Sequence, residues 1–127
     1  MYRLLLFLVL NLWVCAGLAA QSEISVNDLK KKMARSDDYI LLDVRTPDEV
    51  KDGYIEGAVH IDFQADDFES KLSSLDKSIT YYVYCAAGVR SMKASKLMLD
   101  RGFKSVYSLK GGIKGWEEKG LPVVGEE

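Results

Sequence analysis

The sequence has 127 residues, enough for one domain, and it is 48% hydrophobic and 28% charged. This balance is typical of globular proteins and excludes collagen, low-complexity disorder and a polytopic membrane protein. Seventeen Lys and Arg against nineteen Asp and Glu give a net charge of −2, so no nucleic-acid partner is expected. One His and two Cys cannot supply the four ligands of a Cys/His zinc site.

The first twenty residues have the three-part pattern of a secretory signal peptide. Arg3 precedes an apolar run that ends in small residues. We expect cleavage near Ala19 or Ala20, followed by a single domain over residues 21–127 that is periplasmic or secreted, without stable membrane association. The alternatives are an uncleaved membrane anchor and a lipoprotein modified at Cys15, and the bulky residues before that cysteine disfavour the lipoprotein.

The rest of the chain begins with a predicted helix, a strand and a second helix. Ser25 is an N-cap for a helix that ends near Arg35. The continuous apolar run Tyr39–Leu42 is typical of a strand buried on both faces. Thr46 is the N-cap of the second helix, with proline at its first position and Glu49 placed to complete a capping box.

Two further strands and a helix are predicted in the middle of the chain. Ala58–Ile61 is a short strand, and the spacing of Phe68, Leu72 and Leu75 places them on one helical face. Ile79–Tyr84 is the strongest strand signal, because every residue in it is β-branched or aromatic. We therefore expect this strand to be the most central one.

The last third of the chain continues the alternation. A helix ends at Gly102, Val106–Leu109 is a strand, and Gly111–Gly112 is a turn into a final helix that contains Trp116. Strands alternating with helices predict an α/β protein with a parallel sheet covered on both faces. Since sites in such sheets lie at the carboxyl ends of strands, Cys85 is placed at the expected position.

Cys85 is followed by a short loop and a helix, an arrangement that favours a thiolate. The N–H groups of the loop, the positive end of the helix and the charge of Arg90 all stabilise an anion. Gly88 permits a positive φ, while Ala86 and Ala87 leave the loop uncrowded. We predict that Cys85 is a nucleophile; the alternative is an inert buried thiol.

Three other polar residues are given structural roles. Asp43 ends a buried strand, and Arg45 is within reach of Glu49 across the start of the second helix. Their functional role is indirect support of the cysteine loop. The single histidine, His60, belongs to a strand and has no predicted catalytic part, so a Cys–His hydrolase is disfavoured.

Four segments together resemble the single-domain rhodanese family of sulfurtransferases, over about residues 22–124. They are Leu42–Glu49, Gly53–Ile61, Tyr84–Ser91 and Leu109–Val123. With its signal peptide, the chain is most similar to the small periplasmic rhodaneses of the phage-shock type. The resemblance implies a rhodanese-like α/β fold, with a central, mostly parallel five-stranded sheet flanked by helices on both faces.

The resemblance also implies a mechanism through a persulfide. Cys85 accepts a sulfur from a thiosulfate-like anion and passes it to a thiol or cyanide, which predicts ping-pong kinetics. The family pattern assigns binding of the transferred sulfur to the loop residues Ala86, Ala87, Gly88, Val89 and Arg90. The expected partners are therefore small molecules, the expected state is a monomer, and no metal or cofactor is expected.

Two other functions are compatible with the same fold. A phosphatase or arsenate reductase loop has five residues between its Cys and Arg, whereas four separate Cys85 from Arg90. The shorter loop suits a single sulfur better than a tetrahedral phosphate. The second alternative is a rhodanese-fold binding module without significant catalysis, although such modules often lack the cysteine.

Overall fold

A computed structural model describes residues 22–125, so the predicted signal peptide lies outside the described residues. The described strands are β1 (Glu23–Ile24), β2 (Tyr39–Asp43), β3 (Val59–His60), β4 (Thr80–Tyr84) and β5 (Ser105–Leu109). The helices are α1 (Val26–Arg35), α2 (Pro47–Lys51), α3 (Phe68–Leu72), α4 (Val89–Asp100) and α5 (Gly112–Glu118). All strand pairs are parallel, in the order β1-β5-β4-β2-β3, which confirms the expected fold and the central position of β4.

The side chains of β4 divide between the two faces of the sheet. Tyr81 and Val83 pack in one buried cluster together with Cys85, whereas Tyr82 and Tyr84 pack in the other. Successive side chains of a strand point to opposite faces, so this alternation continues one residue beyond β4. It places Cys85 on the face that carries Tyr81 and Val83.

Helices cover both faces of the sheet. Phe68 of α3 and Met98 of α4 belong to the cluster that contains Cys85. Leu29 of α1 and Trp116 of α5 belong to the opposite cluster. A parallel sheet enclosed in this way is buried on both faces, as the apolar run in β2 predicts. Within residues 22–125, no helix is long and apolar enough to cross a membrane.

The first two predicted helix starts are confirmed by their capping bonds. The Ser25 hydroxyl accepts a hydrogen bond from the backbone N–H of Asp28 at 3.1 Å. At the start of α2, the Thr46 hydroxyl accepts from the N–H of Glu49, and the Glu49 carboxylate accepts from the N–H of Thr46. This capping box helps to orient the Glu49 side chain at the start of α2.

Apart from shifts of one or two residues at the ends of elements, the structure differs from the prediction at three places. The two-residue strand β1 pairs with β5 at the sheet edge, and two residues are too few to show a period in the sequence. Helix α3 ends at Leu72, so Leu75 packs against the core from the turn that follows. Strand β3 is limited to Val59–His60 because only those residues pair with β2.

Candidate active site

Cys85 lies directly after β4, beneath the loop that leads into α4. Its side chain is buried, with 1% exposure of the residue. Gly88 has a φ of +111° in the left-handed region, and its N–H donates to Cys85 Sγ at 3.1 Å. The N–H of Ser91, in the first turn of α4, donates to the same sulfur at 3.4 Å. The loop therefore folds around Sγ and presents backbone donors to it.

The hydrogen bonds to Cys85 favour its ionised form. Burial raises the pKa of the Cys85 thiol, because a thiolate loses solvent there. The hydroxyl and N–H of Ser91, with the N–H groups of Gly88 and Ala87, lower this pKa by more. The net result is a thiol pKa below its ordinary value, as a nucleophilic cysteine requires.

Two serine hydroxyls extend this network away from the sulfur. Ser91 Oγ lies 3.5 Å from Cys85 Sγ and 2.8 Å from Ser108 Oγ on β5, and both serines are buried. In the thiol form Sγ–H donates to Ser91 Oγ, which donates to the carbonyl of Gly88 at 3.1 Å. A thiolate only accepts, so in that form the Ser91 hydroxyl can turn and donate to Sγ.

Sequence analysis did not single out Ser91 or Ser108 as site residues. The contact of the Ser91 N–H with the loop could have been predicted, because the N–H groups in the first turn of a helix point back towards the preceding loop. Ser108 offered no comparable signal. Its role depends on the parallel pairing of β4 with β5, which brings it beside Ser91.

Arg90 is part of an ion pair and does not hydrogen-bond Cys85 Sγ. Its Nη1 lies 2.6 Å from Glu49 Oε1, and its Nη2 lies 2.8 Å from Oε2. The hydrogen bond from Arg90 lowers the pKa of Glu49 to about 2, so the pair is charged at neutral pH. Arg90 keeps an electrostatic interaction with Cys85, but the Glu49 carboxylate compensates much of its charge.

Asp43 and Arg45 form a buried pair beside α2 rather than contacting the cysteine loop. Arg45 Nη2 lies 2.8 Å from Asp43 Oδ2 and donates to the carbonyl of Gly53 at 2.7 Å. The expected reach of Arg45 to Glu49 is limited to the backbone carbonyl, at 3.4 Å, because the carboxylate binds Arg90. Asp43 has an electrostatic interaction with Arg90, and the Arg45 guanidinium lies 5.7 Å from the ring centroid of Tyr84, the residue before Cys85.

The start of α5 holds the other side of the loop. The N–H of Ile113 donates to the carbonyl of Cys85 at 2.9 Å, and the N–H of Lys114 donates to that of Ala86 at 3.1 Å. Gly112 has a φ of +60°, and a Cβ there would lie 2.5 Å from both of those carbonyl oxygens. The glycine pair of the closing motif thus allows α5 to approach the cysteine loop.

The remaining predicted residues occupy the outside of the loop or lie away from it. Ala86 is half-buried, while Ala87 and Val89 are exposed. His60 Nε2 lies 2.6 Å from the carbonyl oxygen of Arg45 and has no hydrogen bond to the cysteine. In the part of the chain that the structure describes, no group of three or more His, Cys, Asp or Glu side chains could hold a metal ion.

Comparisons with known proteins show relatives of similar sequence and fold. Residues 25–119 match the Rhodanese-like domain family. A sulfurtransferase of Allochromatium vinosum is 32% identical over 106 residues, which cover 84% of this chain and 97% of that protein. The candidate sulfurtransferase YtwF of Bacillus subtilis is 39% identical over 79% of this chain and 94% of its own length. The crystal structure of a rhodanese-related protein from Thermoplasma volcanium has a TM-score of 0.73 at 32% identity, covering 83% of this chain and 99% of that one.

Proposed function

The chain belongs to the rhodanese-like domain family, and on this basis we propose that it is a sulfurtransferase that carries a sulfane sulfur on Cys85. The observation that carries the proposal is the surroundings of Sγ. N–H groups of Gly88 and Ser91 and the nearby Ser91 hydroxyl can all donate to the sulfur. Among the described residues no general base contacts it, so the site suits chemistry that needs a stabilised sulfur anion.

In the first half-reaction, the Cys85 thiolate attacks the outer sulfur of a donor such as thiosulfate. A sulfur–sulfur bond forms to Sγ, the bond within thiosulfate breaks, and sulfite leaves with its electron pair. The reaction consumes one thiolate and one thiosulfate dianion and yields a persulfide anion and a sulfite dianion. The Gly88 and Ser91 N–H groups donate to Sγ, so they stabilise the attacking thiolate, while the charge of the persulfide lies on its outer sulfur.

In the second half-reaction, a thiolate or cyanide attacks the outer sulfur of the persulfide. The bond between Sγ and that sulfur breaks, and Cys85 leaves as a thiolate. The donors that lower the pKa of Cys85 also make it a better leaving group, since they stabilise the same anion. The product is a thiol persulfide or thiocyanate, and the enzyme returns to its starting state.

The test is intact mass after incubation of the purified protein with thiosulfate. We expect a gain of one sulfur, about 32 Da, that is lost on addition of cyanide. Cys85→Ser should abolish both the gain and thiosulfate:cyanide activity while circular dichroism stays unchanged. In the uncleaved chain Cys15→Ser removes the other cysteine and serves as the matched control, with activity retained; cleavage near Ala20 removes Cys15 altogether. Sulfur transfer by the Cys85→Ser variant would contradict the assignment.

The phosphatase alternative is tested by the length of the loop. The wild type should hydrolyse aryl phosphates poorly, because four residues between Cys85 and Arg90 form a smaller ring of donors than five. Insertion of one residue between them should weaken sulfur transfer. Faster turnover of aryl phosphate than of thiosulfate by the wild type would instead favour the phosphatase.

A further inference from the structure

A shallow groove of about 460 Å³ borders the cysteine loop on the side of α4. One wall is formed by Val89, Met92, Lys93 and Lys96, which are spaced i, i+3, i+4 and i+7 and therefore share one face of the helix. The loop residues Ala87 and Gly88 form its inner end, and Gly88 is the residue whose N–H contacts Sγ. The groove thus runs from the loop that contacts the proposed nucleophile outward along α4.

The lysines of this groove contribute uncompensated positive charge beside the loop. Lys93 and Lys110 line it, and neither has an ion-pair partner among residues 22–125. Lys96 lies 3.5 Å from Asp100, an exposed pair that contributes little. Glu23 is the one carboxylate in the lining. The groove therefore has a net positive charge.

The groove also offers apolar surface. Val89 is 65% exposed, the higher value of the two large hydrophobic side chains exposed in the described chain. Met92 beside it is half-buried and flexible enough to adapt to a bound side chain. An exposed valine at the rim of a site gains contact with a ligand that extends beyond the reacting atom, whereas a small dianion leaves it in water.

We propose that this groove docks an acidic peptide segment of a protein acceptor, whose cysteine takes the sulfur from Cys85. The inference rests on the proposed sulfurtransferase function. The helix face from Val89 to Lys96 contains eight residues, and their seven rises give a length of about 10 Å. Three residues of extended peptide cover that length, so a carboxylate two or three positions from the acceptor cysteine reaches the lysines.

The transfer step follows from this placement. The outer sulfur of the persulfide lies about 2 Å beyond Sγ, which brings it closer to the acceptor than the buried thiol itself. The acceptor thiolate attacks the outer sulfur, the bond between that sulfur and Sγ breaks, and Cys85 leaves as a thiolate. The acceptor cysteine becomes a persulfide, so atoms and electrons balance without a further reactant.

The experiment measures single-turnover transfer from protein already loaded with sulfur. The acceptors are a short cysteine peptide with two glutamates, the same peptide with glutamines, and 2-mercaptoethanol. We expect the acidic peptide to react about tenfold faster than the neutral one at low salt, with the advantage lost in high salt. Equal rates for the two peptides would overturn the proposal.

Charge-reversal variants test whether the lysines of the groove account for the faster reaction of the acidic peptide. Lys93→Glu combined with Lys110→Glu should slow the acidic peptide by about tenfold and leave 2-mercaptoethanol unaffected. Lys104→Glu is the matched control, because this exposed lysine precedes β5 at the opposite end of the sheet from the loop. Equal effects of the control and of the double variant on the acidic peptide would refute this docking surface.

A binding measurement separates this inference from the proposed function. The acidic peptide with serine in place of cysteine is titrated into unloaded protein and followed by NMR shifts. We expect shifts at Val89, Met92 and Lys93 that disappear in the lysine double variant. Absence of a persulfide with these shifts present would refute the sulfurtransferase alone, whereas a persulfide with no shifts in this groove would refute the docking site alone.

Discussion

At Cys85, burial and hydrogen bonding act on the same sulfur in opposite directions. Burial favours the neutral thiol, and four donors from Ser91, Gly88 and Ala87 favour the thiolate. Three of the four are backbone N–H groups, whose positions depend on the fold of the loop rather than on side-chain identity. The Ser91 hydroxyl is the one donor that a substitution removes without changing the backbone.

We therefore expect Ser91→Ala to raise the pKa of the Cys85 thiol. In the wild type, the rate of alkylation by iodoacetamide should rise with pH through an inflection below that of an ordinary cysteine, because the thiolate is the reactive form. The inflection should move to higher pH in the variant, and persulfide formation at neutral pH should slow by about threefold to tenfold.

Ser95 provides the matched control for this measurement. It is buried one turn further along α4, and its hydroxyl has no hydrogen-bond partner among the described residues. Ser95→Ala should leave the inflection unchanged, since no bond to the sulfur network is lost. An unchanged inflection in Ser91→Ala as well would show that the backbone donors alone determine the thiol pKa.

Among the elements, α2 and α4 are joined beside the site by the ion pair of Glu49 with Arg90. The pKa of Glu49, about 2, lies below the ordinary value for a carboxyl group. The stabilisation from this pair is therefore complete above the ordinary pKa and is lost as the pH falls towards 2. At neutral pH both charges are present, so removal of one leaves the other uncompensated near Cys85.

A double-mutant cycle tests this link. Arg90→Ala should raise the thiol pKa of Cys85 and slow persulfide formation by about 10- to 100-fold, because the Glu49 carboxylate then repels both the thiolate and an anionic donor. Adding Glu49→Gln should restore part of the rate. The exposed Arg101–Glu69 pair, at 2.6 Å, provides control substitutions that should change neither quantity. Strictly additive effects at Arg90 and Glu49 would contradict the coupling.

Helix α5 approaches the cysteine loop closely at Gly112. We therefore predict that Gly112→Ala strongly destabilises the fold. The added Cβ would lie 2.5 Å from the carbonyl oxygens of Cys85 and Ala86, at a φ of +60°. We expect a loss of at least about 2 kcal/mol in the free energy of unfolding, measured with urea, together with slower sulfur transfer.

Gly57→Ala isolates the backbone contribution to that loss. Gly57 has a φ of +84°, but nothing lies within 4 Å of the position of its Cβ. It should therefore cost only about 1 kcal/mol, from the left-handed backbone conformation alone, and leave sulfur transfer unchanged. Equal losses for the two variants would mean that the close approach of α5 to the loop adds nothing.

For the whole molecule, the sheet order positions the site. Because β4 is central, its carboxyl end lies between β2 and β5, and each neighbouring strand leads to an element that holds the loop. β2 leads to α2, which carries Glu49, and β5 supplies Ser108 and leads to α5. The nucleophile is thus held by contacts from several elements, although it belongs to one short loop.

We also expect export of the protein with removal of about twenty residues from its N-terminus. The prediction depends on Arg3 and the apolar stretch that ends at Ala20, outside the described residues. The first described element, β1, begins at Glu23, so cleavage near Ala20 leaves every described element intact. N-terminal sequencing of protein from fractionated cells checks it. A chain that still begins at Met1 and sediments with membranes would support an anchor.

The sequence by itself determined the features that depend on near neighbours in the chain. The caps at Ser25 and Thr46, the apolar runs of the buried strands and the position of Cys85 after the central strand all follow from short-range patterns. The family pattern added the five-stranded sheet and the importance of the cysteine loop. The caps, the apolar runs and the position of Cys85 were predictable because each depends on residues a few positions apart, whereas the five-stranded sheet followed from the resemblance.

Only the tertiary structure decided which distant residues complete the site. Glu49 and Arg90 are 41 positions apart, and Ser91 and Ser108 are 17 apart. The close approach of Gly112 to Cys85 likewise joins separate segments. No local period encodes such pairs, since they arise from the order in which parallel strands assemble and from the helices that cross between them.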